Sequence, residues 1–250
     1  MTLYVERVGA GPPVVFVHGA VLGRVAWDEQ RPLADRWTLH LVDRPGYGDS
    51  PSVERVDFAV DAPLVARLLA ELAGGAHLVG SSYGGVVSLL AAAEAPERVR
   101  SLTVVEPPAF AVAKDDPVVV RLLADVEGVR SDESRDLRGV LAGFLGLVGS
   151  NLKLPEVLPP ALERGARLLR VERDPSEADI PLAALAGAPF PKLVVSGGHH
   201  AAFEAVCDVL ERRLGAERAL ITGAGHSVQR AGAPFNERLE AFLRSAEGSA

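Results

Sequence analysis

The sequence predicts an α/β fold, a mostly parallel sheet with helices on both faces. Short β-branched apolar runs alternate along the chain with longer stretches of helical periodicity, the order expected of strand–helix–strand units joined by right-handed crossovers. Several runs are apolar at nearly every position rather than every second one, as in Val14-Val15-Phe16-Val17, which marks strands buried on both faces. The chain has 250 residues, 48% of them hydrophobic, enough for one large domain with a substantial core.

Taken in order, strands are expected over 3–8, 14–17, 38–42, 77–79, 101–105, 193–196 and 218–222. Helices are expected over 60–72, 83–95, 203–214 and 234–246. In the last of these, Phe235, Leu239 and Phe242 recur at spacings of four and three, which makes one buried stripe. From 108 to 190 the rhythm breaks. No strand pattern appears there, only helical ones such as 118–126 and 134–148, punctuated by Pro155, Pro159, Pro160, Pro175 and Pro181. The expected organisation is a core of residues 1–107 and 191–250, with 108–190 inserted as a helical unit.

Composition narrows the partners. Asp and Glu number 33 against 26 Lys and Arg, a net charge of −7. That balance speaks against nucleic acid and against an anionic membrane surface. No apolar run approaches the roughly 20 residues of a membrane span. No basic segment followed by an apolar one opens the chain, so the expected location is cytoplasmic. The single cysteine, Cys207, cannot form an intrachain disulfide; it lies among apolar neighbours on an expected helix and reads as buried. The adjacent His199 and His200 lack the further ligands a metal site needs, and no motif calls for a cofactor.

The sharpest chemical signal is Gly80-Ser81-Ser82-Tyr83-Gly84, a G-x-S-x-G pattern between an expected strand and an expected helix. A serine on such a turn is held in a strained conformation with its hydroxyl pushed out of the sheet edge. Glycines at 80 and 84 remove Cβ atoms where strand and helix crowd together. The helix N-terminus adds a partial positive charge beside a developing oxyanion.

With that motif the sequence resembles the α/β-hydrolase fold superfamily, in its small bacterial serine hydrolase branch. Three further landmarks carry the resemblance: Val14-Val15-Phe16-Val17-His18-Gly19, Asp43-Arg44-Pro45-Gly46-Tyr47-Gly48-Asp49-Ser50, and Gly223-Ala224-Gly225-His226. The resemblance implies that Ser82 is the nucleophile of an ester, lactone or thioester hydrolase and that 108–190 caps the site. It also implies an oxyanion hole made by the backbone N–H groups of Ala20 and Tyr83. Serine at the nucleophile position argues against the aspartate-dependent epoxide hydrolases and dehalogenases of the same fold.

Serine needs a base. His226 follows the last expected strand, at the C-terminal sheet edge where open sheets place their sites. His18 reads as a shaper of the oxyanion loop, and His18, Ser81 and His199 are the candidate substrate contacts. The acid departs from the family pattern: the loop Gly197-Gly198-His199-His200 holds no carboxylate. Glu106, at the end of the strand after the elbow helix, is the leading acid. Asp208 or Glu204 on the next helix, and no carboxylate at all, stay open. Asp43 and Arg44 read as an ion pair within their loop. The substrate is expected to be a small, largely apolar molecule. Carbon–carbon bond hydrolysis, lyase or cofactor-free oxygen chemistry, and non-catalytic ligand binding, are the competing readings on the same fold. Oligomeric state has no signal in the sequence.

Overall fold

The computed structural model describes residues 1–248. Seven strands form one sheet among the described residues: β1 (Tyr4–Val8), β2 (Pro13–Val17), β3 (Thr38–Asp43), β4 (Ala76–Ser81), β5 (Val99–Val105), β6 (Lys192–Ser196) and β7 (Glu217–Leu220). Their spatial order is β1-β3-β2-β4-β5-β6-β7. β1 runs antiparallel to β3 at one edge, and every other pairing is parallel.

The strands forecast as continuous apolar runs are the buried ones. β3 and β4 are buried along their whole length. Alternating side chains serve two separate cores, as the two-residue repeat of a strand requires. Val15 and Val17 of β2 face one core, and Val14 and Phe16 face the other. The first core is covered by α1 (Phe58–Glu71), α2 (Tyr83–Glu94) and α7 (Ala201–Leu214). The second is covered by α8 (Ala233–Gly248), whose Phe235, Leu239 and Phe242 are buried as one stripe. Beside α8 lies a run of 3-10 turns over Arg24–Asp35 that buries Trp27 and Leu33. The sequence pattern did not mark this run, because Pro32 and its short turns give no 3.6-residue period.

Between β5 and β6 the chain carries α3 (Pro117–Ser131), α4 (Leu137–Leu147), α5 (Pro160–Val171) and α6 (Leu182–Gly187). Asp116 and Asp136 cap the first two of these by accepting from backbone N–H groups of the first turn. α5 had no forecast of its own, although Leu162, Ala166 and Leu169 form its buried stripe. Leu141, Leu145, Leu158, Leu162 and Ala166 cluster around Val21, which brings this segment over the loop that follows β2.

The order of the strands positions the site. From β2 the chain steps to β3 on one side, and from β4 it steps through β5, β6 and β7 on the other. Loops leaving the C-terminal ends of β2 and β4 therefore diverge and open a crevice. The turn between β4 and α2 closes tightly against this crevice. A Cβ on Gly84 would strike the backbone carbonyls of Val17 and His18 at the end of β2. Gly84→Ala is expected to cost about 1–3 kcal/mol of stability because the obstacle is backbone, measurable as a lowered midpoint in thermal or urea unfolding.

Candidate active site

Ser82 stands between β4 and α2 with φ 50° and ψ −129°, in the left-handed region that non-glycine residues avoid. Serine is among the best helix N-caps, yet the Ser82 side chain makes no cap bond to α2. Its Oγ lies instead 2.9 Å from Nε2 of His226. Nδ1 of the same imidazole is 2.7 Å from Oε2 of Glu106. An ionised carboxylate only accepts, so Nδ1 carries the proton and Nε2 is left to accept from the hydroxyl. The phenyl ring of Phe203 packs on the imidazole, with centroids 4.3 Å apart, and the His226 N–H donates to the Gly149 carbonyl at 3.1 Å. Position and tautomer of the imidazole are both held.

Glu106 follows β5 directly, with φ 42°, and is fully buried. Its Oε1 accepts from the Gly197 N–H at 2.7 Å, and its backbone N–H donates to Val195. Of the three carboxylates considered for the acid, this is the one beside His226. Glu204 accepts from Gly198 N–H and from Arg218, and Asp208 is exposed and also faces Arg218. His199 stands on the other side of Glu106, its Nδ1 3.2 Å from Oε1 and its Nε2 3.0 Å from the Val148 carbonyl. Glu106, His199 and His226 together bring three potential ligand atoms within 4.8 Å of one another. A metal ion there would have to displace the His226–Glu106 hydrogen bond.

The loop after β2 is held by a buried network. The Arg44 backbone N–H donates to Nε2 of His18 at 2.9 Å, so the His18 proton sits on Nδ1 and is donated to the Gly19 carbonyl at 2.7 Å. Burial, reinforced by the Arg44 charge, holds His18 well below the ordinary histidine range, which keeps this neutral tautomer. The Arg44 side chain adds Nε to the His18 carbonyl (3.0 Å) and Nη2 to the Gly19 carbonyl (2.9 Å). In a trans peptide the C=O and N–H point in opposite directions. Pinning the Gly19 carbonyl from below therefore turns the Ala20 N–H the other way. The Ser82 carbonyl accepts from Gly85 N–H at 2.7 Å, which fixes the Tyr83 N–H by the same rule. Ala20, Ser82 and Tyr83 line one cleft.

Three expectations need correction: the Asp43–Arg44 pair, and His18 and His199 as substrate contacts. Asp43 and Arg44 are both fully buried but do not pair with each other. Asp43 binds Arg24 through the guanidinium and the backbone N–H, and accepts from Asp49 N–H. Arg44 pairs with Asp61 at 2.8 Å and lies 3.7 Å from Glu172. Neighbours at a strand end point to opposite faces, so adjacency in sequence kept them apart. His18, expected near the substrate, is fully buried and lines neither cleft beside Ser82.

Two clefts meet at Ser82 and His226. One, about 540 Å³, runs under α3, α4 and α5 between Phe110, Leu122, Val126, Phe144 and Leu169, and is walled further on by Glu172 and Arg130. The other, about 560 Å³, passes Ser81, Ser150, Ser227, Gln229 and Arg230. Ser81 donates to Gln229 at 3.2 Å within its wall. His199 lines neither of these clefts; it faces an open groove with His200, which caps α7. Cys207 is buried, and that burial pushes its thiol up. Asp61, Phe203 and Gln229 carried no motif, and Arg44 was in view only as a partner for Asp43.

The profile of the alpha/beta hydrolase family matches residues 14–238. The chain belongs to this family. Among curated proteins, the pimeloyl-[acyl-carrier protein] methyl ester esterase of Aeromonas hydrophila subsp. hydrophila is 41% identical over 120 residues, 46% of either chain. The protein of the same name from Chromobacterium violaceum is 37% identical over 152 residues, 59% of this chain and 57% of the other. The matches thus span about half the length of these relatives. An alpha/beta hydrolase from Sphaerobacter thermophilus superposes with a TM-score of 0.69 at 25% identity over 96% of both chains. A thermophilic esterase from Thermogutta terrifontis gives 0.69 at 22% identity, covering 98% of this chain and 93% of the other, a likeness of fold. No helix among the described residues of this hydrolase-family chain is long and apolar enough to cross a membrane.

Glu172 gives the site a measurable pH signature. Burial pushes its carboxyl up to about 7, against the pull of the Arg44 and Arg130 charges; its ordinary value is 4.5. Between those values the folded chain keeps a proton that the unfolded chain has released, so its contribution to stability falls as pH rises. Glu172→Gln removes this titration. The variant is expected to gain about 1–3 kcal/mol on wild type between pH 5 and pH 8, read from urea unfolding at the two pH values.

Proposed function

We propose that this chain is a cofactor-independent serine hydrolase of carboxylic esters, acting through an acyl-enzyme. What carries the reading is the unbroken hydrogen-bonded series Ser82 Oγ, His226 Nε2, His226 Nδ1, Glu106 Oε2, ending at a cleft. The esterase names of the curated relatives support the ester as the bond attacked.

In this mechanism Ser82 Oγ adds to the acyl carbon while its proton passes to His226 Nε2. Glu106 keeps the imidazole oriented and stabilises the imidazolium. The carbonyl oxygen becomes an oxyanion, held by the N–H groups of Ala20 and Tyr83. Collapse breaks the ester C–O bond, and His226 returns its proton to the departing alkoxide. Water then enters, gives its proton to His226 and adds to the acyl carbon. Collapse of the second oxyanion breaks the bond to Ser82 Oγ, which takes the proton back, and releases the acid. Residues 108–190 act as the cap in this reading, on a core of 1–107 and 191–250, and their apolar side chains suit a largely apolar small molecule. Ser81 lines the second cleft and is a candidate substrate contact; His199 acts instead through Glu106. Thioesters and lactones offer the same acyl carbon to Ser82.

A fluorophosphonate probe is expected to label Ser82 in the folded wild type, with no label in Ser82→Ala; a folded wild type that stays unlabelled removes the reading. In an aryl ester assay, Glu106→Gln is expected to lower kcat by about 100-fold or more, while Asp208→Asn stays near wild type. Equal losses in the two variants would move the acid elsewhere.

Arg44 supplies a third test. Arg44→Lys keeps a charge for Asp61 but loses the fork that holds the His18 and Gly19 carbonyls. Per active site titrated, kcat is expected to fall about 10- to 100-fold, a loss seen when oxyanion donors are disturbed. KM should stay within about threefold, since ground-state binding does not use the oxyanion donors. A rise in KM with kcat unchanged would mean that Arg44 serves binding instead.

A further inference from the structure

The apolar cleft beside Ser82 has a polar wall that the hydrolytic reading does not use. Glu172 and Arg130 line it along with Leu122, Val126 and Leu169. Glu172 is 6% exposed, and its Oε2 is a buried atom with no hydrogen-bond partner. Arg44, the nearest cation at 3.7 Å, is committed to Asp61 and to the His18 and Gly19 carbonyls. Arg130 rests one guanidinium nitrogen against the Glu172 backbone carbonyl, while its Nε is likewise buried and without a partner.

Buried polar atoms are nearly always satisfied, and exceptions call for an explanation. Here an orphan acceptor and an orphan donor fall on the same residue pair, in the wall of the cleft that starts at the candidate nucleophile. The pair suits a group that can both donate to a carboxyl oxygen and accept from a guanidinium N–H. A hydroxyl does this with a single oxygen. An ammonium group can only donate, and a carboxylate can only accept. Asp174 also lines the cleft, with its carboxyl turned to the Ser176 N–H; between it and Ser82 the walls are mainly aliphatic and aromatic and offer an alkyl chain apolar contact.

We propose that Glu172 and Arg130 form a subsite for a substrate hydroxyl, so that the preferred ester carries an apolar chain with a hydroxyl at its far end. The proposal rests on the serine hydrolase reading for the reacting end of the same cleft. It assigns Glu172 a part in substrate selection, through KM more than through kcat. Ionised or protonated, the Glu172 carboxyl retains an oxygen that accepts, so the subsite works on either side of neutrality.

The experiment measures kcat/KM for matched aryl and alkyl esters with chains of four to eight carbons, ending in methyl or in hydroxyl. The hydroxyl is placed on the acyl chain in one series and on the alcohol chain in another. Wild type is expected to favour the hydroxyl ester at least tenfold at one chain length, because a site built to bond a hydroxyl discriminates strongly against its absence. In Glu172→Leu the ratio of hydroxyl to methyl ester turnover should shrink to within twofold. Glu172→Gln, which keeps an acceptor oxygen, and Arg130→Met should each retain part of the preference. The two carry the test if the leucine variant does not fold.

Equal values for hydroxyl and methyl esters at every length would overturn the proposal, and so would a preference that survives in Glu172→Leu. A stronger preference for ammonium- or carboxylate-terminated esters would overturn it too. These failures leave methyl-ended ester hydrolysis intact, whereas a wild type that hydrolyses none of the esters removes the hydrolase reading as well.

Discussion

The site rests on a guanidinium that has no access to water. Arg44 is completely buried, and a buried charge is tolerable only where its donors meet acceptors. Its acceptors are Asp61 on α1 and the carbonyls of His18 and Gly19 after β2. The rings of Tyr47 and Tyr83 flank it, with centroids 4.9 Å and 4.6 Å from the guanidinium carbon. One side chain thus binds together the loop after β2, the loop after β3, the first turn of α1 and the start of α2. The cost of burying the charge is offset by these contacts, and the peptide gripped at the Gly19 carbonyl is the one whose Ala20 N–H faces the opposite way.

Backbone strain is concentrated in the same place. Val21, Ser82 and Glu106 are the non-glycine residues with positive φ among those described. They follow β2, β4 and β5, three adjacent strands, at the C-terminal edge of the sheet. Val21 is β-branched, the class least suited to this region, and its φ of 76° sits in a tight turn closed by Leu22 N–H to the Ala20 carbonyl at 2.9 Å. Such conformations persist where surrounding structure over-determines them. Here the surroundings are the sheet below and the Leu141–Ala166 cluster above. Strain at Ser82 presents Oγ, and strain at Glu106 turns the carboxyl out of the strand toward His226. The distortions at Ser82 and Glu106 each point a polar side chain toward His226.

The central part of this arrangement was legible in the sequence because it is local. The G-x-S-x-G turn, the continuous apolar strands and the loop of His226 declare themselves within a few residues. Glu106 was legible by position, as a carboxyl at a strand end next to the elbow. What stayed hidden depends on contacts between distant residues. Asp61 meets Arg44 across 17 positions, and Gln229 meets Ser81 across 148. The Asp43–Arg44 pairing misled because charge adjacency in sequence ignores the alternation of a strand. The helix α5 was obscured by flanking prolines and by a stripe in which alanine stands for larger apolar residues. Glu172, just after that helix, carries no motif that would single it out.

The segment between β5 and β6 does more than roof the clefts. The turn after α4 places the Gly149 carbonyl on His226 N–H, the Val148 carbonyl on His199, and Asn151 Nδ2 on the Gly223 carbonyl. Gly149 has φ 67° and faces the His199 ring where a Cβ would lie, so this approach needs glycine. His199 in turn contacts Glu106. Both residues that flank the Glu106 carboxylate are therefore held by backbone of the helical segment rather than by the sheet. A displacement of that turn would change the setting of His226 and Glu106 together. The segment that walls the cleft is also the one that holds His226 and His199 beside Glu106, which couples the shape of the cleft to the geometry at Ser82.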